Sequence, residues 1–152
     1  MALAAASDTN SLYILIVEDE PILREDIATY LRDCGCTVHE ADSAEQALAM
    51  CRAGLRVDVL FTDINLNGIA EGWMLAKLFR TARRAVGVVY ASGNSIDRSG
   101  CVPGSVFFMK PTCGSIFWQR VLTRTGLDVS RNPNVAALRR GLKFNRKFQF
   151  GE

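Results

Sequence analysis

Residues Val57–Gly68 read V-D-V-L-F-T-D-I-N-L-N-G, and this stretch decides the fold. Val57–Thr62 is a run of β-branched and apolar residues with one charge, the pattern of a strand buried on both faces. It ends in Asp63, and Asn65, Asn67 and Gly68 then supply turn chemistry. A carboxylate therefore sits where a buried strand gives way to a loop. In an open α/β sheet, ligands bind in the crevice beyond the carboxyl ends of the strands. Taken alone, Asp63 is as readily a local device that caps the next helix or holds an Asx-turn.

On the N-terminal side, Leu12–Val17 (L-Y-I-L-I-V) is a second buried strand that stops at Glu18-Asp19-Glu20-Pro21. Acids there suit the positive end of a following helix, with Pro21 in its first turn. Their convergence is costly, because two unit charges about 4 Å apart repel by roughly 4 kcal/mol at an effective dielectric of 20. Pro21–Cys34 carries Ile22, Leu23, Ile27, Tyr30 and Leu31 at helical spacing, and Gly35 ends it. Cys36–Glu40 reads as a short strand. Ser43 with Gln46 forms a capping-box signature for a helix over Ala44–Arg52, closed by Gly54. On the C-terminal side, Ala70–Thr81 is helical, with Trp73, Leu75, Ala76, Leu78 and Phe79 supplying its apolar face. Ala85–Ala91 is a fourth strand running into Ser92-Gly93-Asn94. The Ile96–Pro103 connection, broken by Gly100 and Pro103, has room for a turn or two of helix. Gly104–Met109 is a fifth strand ending at Lys110-Pro111, and Cys113–Arg124 is a last helix. Five alternations of strand and helix predict one parallel sheet with helices on both faces.

Composition sets the outer bounds. The 152 residues are 49% hydrophobic and 22% charged, enough for one real core. The formal net charge of +2 is unevenly spread: Arg131–Glu152 holds six basic side chains against one acid, which leaves the remainder at −3. The five cysteines are odd in number and lack a C-x-x-C pair, which argues for reduced thiols in a cytoplasmic protein. His39 is the single histidine, so histidine-based catalysis and multi-histidine metal sites are nearly excluded. Met1–Ala6 is short for a signal peptide and lacks a basic lead, and no apolar run reaches the length of a membrane span.

Four strand ends carry chemistry that such a sheet gathers at one edge: Glu18 and Asp19, Asp63, Ser92, and Lys110. In flavodoxin-like order, 2-1-3-4-5, the first and third strands are neighbours beside the switch point, which sets Asp19 next to Asp63. Carboxylates forced together need a cation, and hard oxygen ligands with few protein contacts suit Mg²⁺, which keeps waters and takes a phosphate oxygen. Lys110 adds a fixed positive charge and Ser92 a hydroxyl. Together they describe a phosphoryl-transfer site in which a carboxylate can be the nucleophile.

With these residues in place, Leu12–Thr125 resembles the receiver domain of bacterial two-component response regulators, of the chemotaxis-regulator fold. The resemblance rests on Glu18-Asp19, on Asp63 in F-T-D-I-N-L-N-G, on Ser92 in V-V-Y-A-S-G and on Lys110-Pro111 in F-F-M-K-P. It implies a flavodoxin-like (βα)5 domain over residues 12–126, after a flexible N-terminus (1–11) and before a basic tail (127–152). It further implies that Asp63 accepts a phosphoryl group from a sensor histidine kinase or a histidine phosphotransfer protein. Asp19, Asp63 and the backbone carbonyl of Asn65 would ligate Mg²⁺ or Mn²⁺, with Glu18 acting through a bound water. Lys110 would neutralise the phosphoryl oxygens, and Ser92 would turn in to bond one of them. Phe107 takes the place of the aromatic switch residue, without the hydroxyl that a tyrosine has there. Asn65 and Asn94 flank the path of the attacking water, and the Lys110-Pro111 peptide is expected to be cis.

The implied function is a stand-alone, phosphorylation-controlled interaction switch with an unnamed downstream protein, self-association as a homodimer being left open. DNA binding is not expected, because the chain ends too soon for an output domain of the usual size. A basic tail bearing Phe144, Phe148 and Phe150 suits nucleic acid or an acidic membrane surface, yet such tails more often pack on their own domain or stay loose. Two rivals stand beside this reading. One is a degenerate receiver that binds without accepting phosphate; its mark would be loss of Asp63, Asp19 or Lys110, and all three are present. The other is a Mg²⁺-dependent aspartyl-phosphate phosphatase, which resembles D-x-D-x-T around its nucleophile, whereas here Asn65 stands at the second carboxylate.

Overall fold

A computed structural model of the chain describes residues 11–33, 35–66, 72–93 and 98–109. Within them the order is β1 (Tyr13–Val17), α1 (Pro21–Asp33), β2 (Thr37–Ala41), α2 (Ala44–Arg52), β3 (Val59–Asp63), α3 (Gly72–Ala82), β4 (Gly87–Ser92), a single 3-10 turn (Arg98–Gly100) and β5 (Val106–Met109). The five strands form one sheet ordered β2-β1-β3-β4-β5, and every neighbouring pair is parallel. This is the doubly wound α/β fold expected from the alternation. Of the connection after β4, the described residues hold a single 3-10 turn, Arg98–Gly100. Lys110, Pro111 and the peptide between them, Asn94, the segment Cys113–Arg124 expected to be helical, and the basic tail lie outside the described residues.

The central strands are apolar up to their polar C-terminal ends because both of their faces are covered. Ile14, Ile16, Val59, Phe61, Val89 and Ala91 point to one side, where α1 sends Ile27, Ala28 and Leu31. Leu15, Val17, Leu60, Val88 and Tyr90 point to the other, against Ala44 and Ala47 of α2 and Leu75, Ala76 and Phe79 of α3. Each large side chain so buried contributes about 1.5–3 kcal/mol, and this removal of apolar surface dominates the stability. Gly35 and Gly54 end α1 and α2 in the left-handed region, at φ 87° and 81°. Both close with the paired backbone bonds of a Schellman turn, Gly35 N–H to Arg32 and Cys36 N–H to Leu31, then Gly54 N–H to Cys51 and Leu55 N–H to Met50.

Strand boundaries differ from the expected ones in a consistent direction. β1, β3, β4 and β5 start one or two residues later than the apolar runs, while Ala41, Asp63 and Ser92 close β2, β3 and β4. A parallel ladder exists only where the neighbours overlap, and here it runs from Ile14↔Val59 to Val17↔Thr62, and from Val59↔Gly87 to Asp63↔Ala91. Leu12 and Val57 remain buried ahead of it. Ser11, expected in the frayed segment, is also buried, with its hydroxyl 2.8 Å from Thr37 Oγ1. The Ser43 cap forms as expected, its Oγ accepting the Gln46 N–H at 3.2 Å. The return bond of Gln46 goes to the Asp42 N–H instead, at 2.8 Å.

At the opposite end of β1 from Glu18, the Tyr13 N–H donates to Asp58 Oδ2 at 2.9 Å, and the Arg56 guanidinium lies 4.5 Å over the Tyr13 ring. The lone histidine, His39, stacks on Tyr13, 6.5 Å ring to ring. Its surroundings are therefore those of a packed strand residue. No helix among the described residues is long and apolar enough to cross a membrane.

Candidate functional site

The register brings the polar strand ends together. Glu18 follows β1 and extends its pairing with β2, its N–H donating to Ala41 O at 3.1 Å. The Glu18 side chain is 0% exposed, and Oε1 accepts the Glu20 N–H at 3.1 Å. Asp19 is half-buried. Asp63 closes β3 at 6% exposure, and Oδ1 accepts the Asn65 N–H at 3.1 Å. This is the Asx-turn of the local reading, and it coexists with the gathering of charge. Carboxylate oxygens of Glu18, Asp19 and Asp63 lie within 4.8 Å of one another. On the adjacent strand, Ser92 stands one residue past the Asp63↔Ala91 pair and is 2% exposed. Asn65 itself is exposed.

Three carboxylates this close repel strongly in a partly dehydrated crevice, so the arrangement calls for a cation. The donor set is all oxygen and hard, which fits Mg²⁺ and gives no purchase to softer metals that prefer nitrogen or sulfur.

Two features of the site were not legible as such. Gly72, at the start of α3, donates its N–H to Ile64 O at 3.0 Å. A Cβ there would lie 2.2 Å from the carbonyl oxygen of Asp63. Its only sequence signal is a glycine at the head of an apolar helical run. The second is Tyr90 on β4, fully buried between Phe107 of β5 at 5.1 Å and Trp73 of α3 at 5.9 Å, ring to ring. The half-buried Phe107 thus belongs to an aromatic stack, and the Tyr90 hydroxyl anchors that stack by accepting the Val102 N–H at 3.3 Å.

Burial pushes the Tyr90 phenol above its ordinary value, against the smaller opposing effect of the Val102 bond. A group whose pKa rises on folding stabilises the fold below its unfolded pKa, near 10, and loses that contribution as pH rises through the folded value. Stability is therefore expected to fall above about pH 10. Tyr90→Phe should flatten this alkaline limb, as read from urea midpoints across pH. An unchanged alkaline limb would assign the loss to other groups.

An open parallel sheet with acids converging beyond its central strands puts the site at the switch point of a doubly wound fold. Residues 14–99 match the response regulator receiver domain family, and the chain belongs to it. It is 37% identical over 91 residues to the transcriptional regulatory protein AruR of Pseudomonas aeruginosa. That match covers 56% of this chain but only 36% of AruR. The fold is similar to a response regulator receiver protein from Sinorhizobium medicae, with a TM-score of 0.68 and 27% identity, covering 84% of this chain and 97% of that one. It is also similar to the receiver domain of the hybrid histidine kinase CckA, with a TM-score of 0.64 and 31% identity, covering 74% and 98% of the two chains.

Proposed function

We propose that Asp63 is the phosphoacceptor of a receiver spanning residues 12–126. A sensor histidine kinase or histidine phosphotransfer protein is the donor, and output passes to a downstream protein through phosphorylation-dependent contact. The observation that carries this reading is the convergence of Glu18, Asp19 and Asp63 within 4.8 Å beyond β1 and β3. An Asp63 oxygen attacks phosphorus as the bond to the donor's imidazole nitrogen breaks, and the electron pair leaves with that nitrogen. The Asn65 N–H on Oδ1 fixes the rotation of the attacking carboxylate. Asp19, Asp63 and the Asn65 carbonyl would hold Mg²⁺ or Mn²⁺, with Glu18 acting through water. The metal, when bound, supplies charge neutralisation for the acids and the transferred group. Ser92 and Lys110 take the phosphoryl oxygens, and Phe107 reports the change. Asn65 and Asn94 are neutral amides that orient water without deprotonating it. The chain then acts as a phosphoacceptor in the cytoplasm and not as a turnover enzyme.

The test is incubation with acetyl phosphate, with and without Mg²⁺, read by intact mass. A Mg²⁺-dependent gain of one phosphoryl group is expected. No gain with any of several small donors would remove the receiver chemistry. The metal assignment has its own check. Asp19 is the more accessible carboxylate and Glu18 is wholly enclosed. Asp19→Ala is therefore expected to weaken Mg²⁺ binding well beyond the effect of Glu18→Gln, as read by calorimetric titration. Equal losses would reverse or blur the two roles.

A further inference from the structure

We propose that Arg24 is a positioning residue for the acidic pair, an inference that rests on the metal-site reading above. Arg24 lies one turn into α1, and its Nη1 donates to the backbone carbonyl of Glu18 at 2.7 Å. That carbonyl belongs to the planar peptide joining Glu18 to Asp19. Fixing it fixes the plane from which the Asp19 N–Cα bond departs, and so narrows the directions open to the Asp19 carboxylate. Other bonds around this turn include the Glu18 N–H to Ala41 O, the Glu20 N–H to Glu18 Oε1, and the Arg24 backbone N–H to Glu20 O at 3.0 Å. Among these bonds, the Arg24 guanidinium is the side chain that reaches back from α1 to the peptide between the two acids.

The guanidinium is itself constrained. Its side chain is 19% exposed, and Nε lies 3.6 Å from Glu40 Oε1 on β2. Glu40 is held in turn by Arg32, which sits 3.0 Å from Oε2 and also donates to Val38 O at 3.0 Å. The rigid fork of arginine reaches carbonyl and carboxylate together, and a lysine ammonium at the same place is a point charge on a flexible stem. A charged donor on a neutral carbonyl also makes a stronger bond than a neutral pair does.

The alternative is that Arg24 only ties α1 to β2 through Glu40. Two variants separate these roles. Arg24→Gln removes both the carbonyl bond and the ion pair, whereas Glu40→Gln removes the ion pair and leaves the carbonyl bond. The sign of the effect discriminates further. Deleting a positive charge near three carboxylates would by itself tighten cation binding, so a loss of affinity cannot come from charge alone. Removing partners that orient metal ligands typically costs 10–100-fold in affinity.

Arg24→Gln is therefore expected to weaken Mg²⁺ binding about tenfold. Arg24→Lys should fall between it and wild type, and Glu40→Gln should stay close to wild type. In the metal-free protein, amide exchange at Asp19 and Glu20 should accelerate in Arg24→Gln, while β1 and β3 keep their protection. Unchanged or tighter Mg²⁺ binding in Arg24→Gln, or an equal loss in Glu40→Gln, would overturn the proposal. If the wild type binds no Mg²⁺, the metal-site reading fails by itself. The amide exchange then still decides whether Arg24 orders the turn: faster exchange upholds it, and unchanged exchange ends it.

Discussion

Gly72→Ala is expected to cost about 3 kcal/mol of stability, the upper range for an overpacked core position. The new Cβ would stand 2.2 Å from Asp63 O, 3.0 Å from Ile64 Cα and 3.1 Å from Asp63 C, and all three are backbone atoms. No rotamer change relieves such a contact. The Gly72 N–H to Ile64 O bond at 3.0 Å pins the same two segments together, so α3 cannot retreat without breaking it. The direction is informative because alanine is the better helix former, by about 1 kcal/mol, and propensity alone predicts a gain. Gly93→Ala serves as the control, since among the described residues nothing lies within 4 Å of a Cβ there. Urea midpoints for the three proteins decide it. A Gly72→Ala midpoint equal to that of Gly93→Ala would show that α3 can shift without cost. The clash falls on the carbonyl of Asp63 itself, so the surviving fold should also take up phosphate more slowly.

Asp63→Asn should abolish Mg²⁺-dependent phosphorylation while keeping the fold. The amide is nearly isosteric, and its oxygen can still accept the Asn65 N–H that Oδ1 holds at 3.1 Å. It has no anionic oxygen to attack phosphorus. It also removes one of three charges that lie within 4.8 Å of one another. The metal-free variant is therefore expected to be more stable than metal-free wild type, because carboxylate repulsion of up to roughly 4 kcal/mol per pair at a dielectric near 20 is relieved. The wild type should regain the difference on adding Mg²⁺, since a ligand at 100 times its Kd stabilises by about 2.7 kcal/mol. Asp63→Asn should respond far less. Thermal melts with and without Mg²⁺ and intact mass after acetyl phosphate together read both effects. A phosphorylated Asp63→Asn protein would place the acceptor elsewhere, and equal Mg²⁺ shifts would take Asp63 out of the metal site.

The sequence by itself determined the alternation of elements, the parallel sheet and the candidates at its edge. Those properties are written in periodicity: β1, β3 and β4 are apolar on both faces because helices cover both, and a continuous apolar run is visible without coordinates. Glu18, Asp19 and Asp63 were likewise legible, since each follows or closes such a run. Tertiary structure decided the rest. That Glu18 is wholly enclosed, and that its carbonyl meets Arg24, depends on how α1 returns across the end of β1. That Gly72 must lack a Cβ depends on α3 meeting the carbonyl of a residue nine positions away. Local pattern records whether a side chain is to be buried, because burial follows the period of its own element. Which atoms it meets is set by the packing of separate elements, and no single stretch of sequence contains that distance.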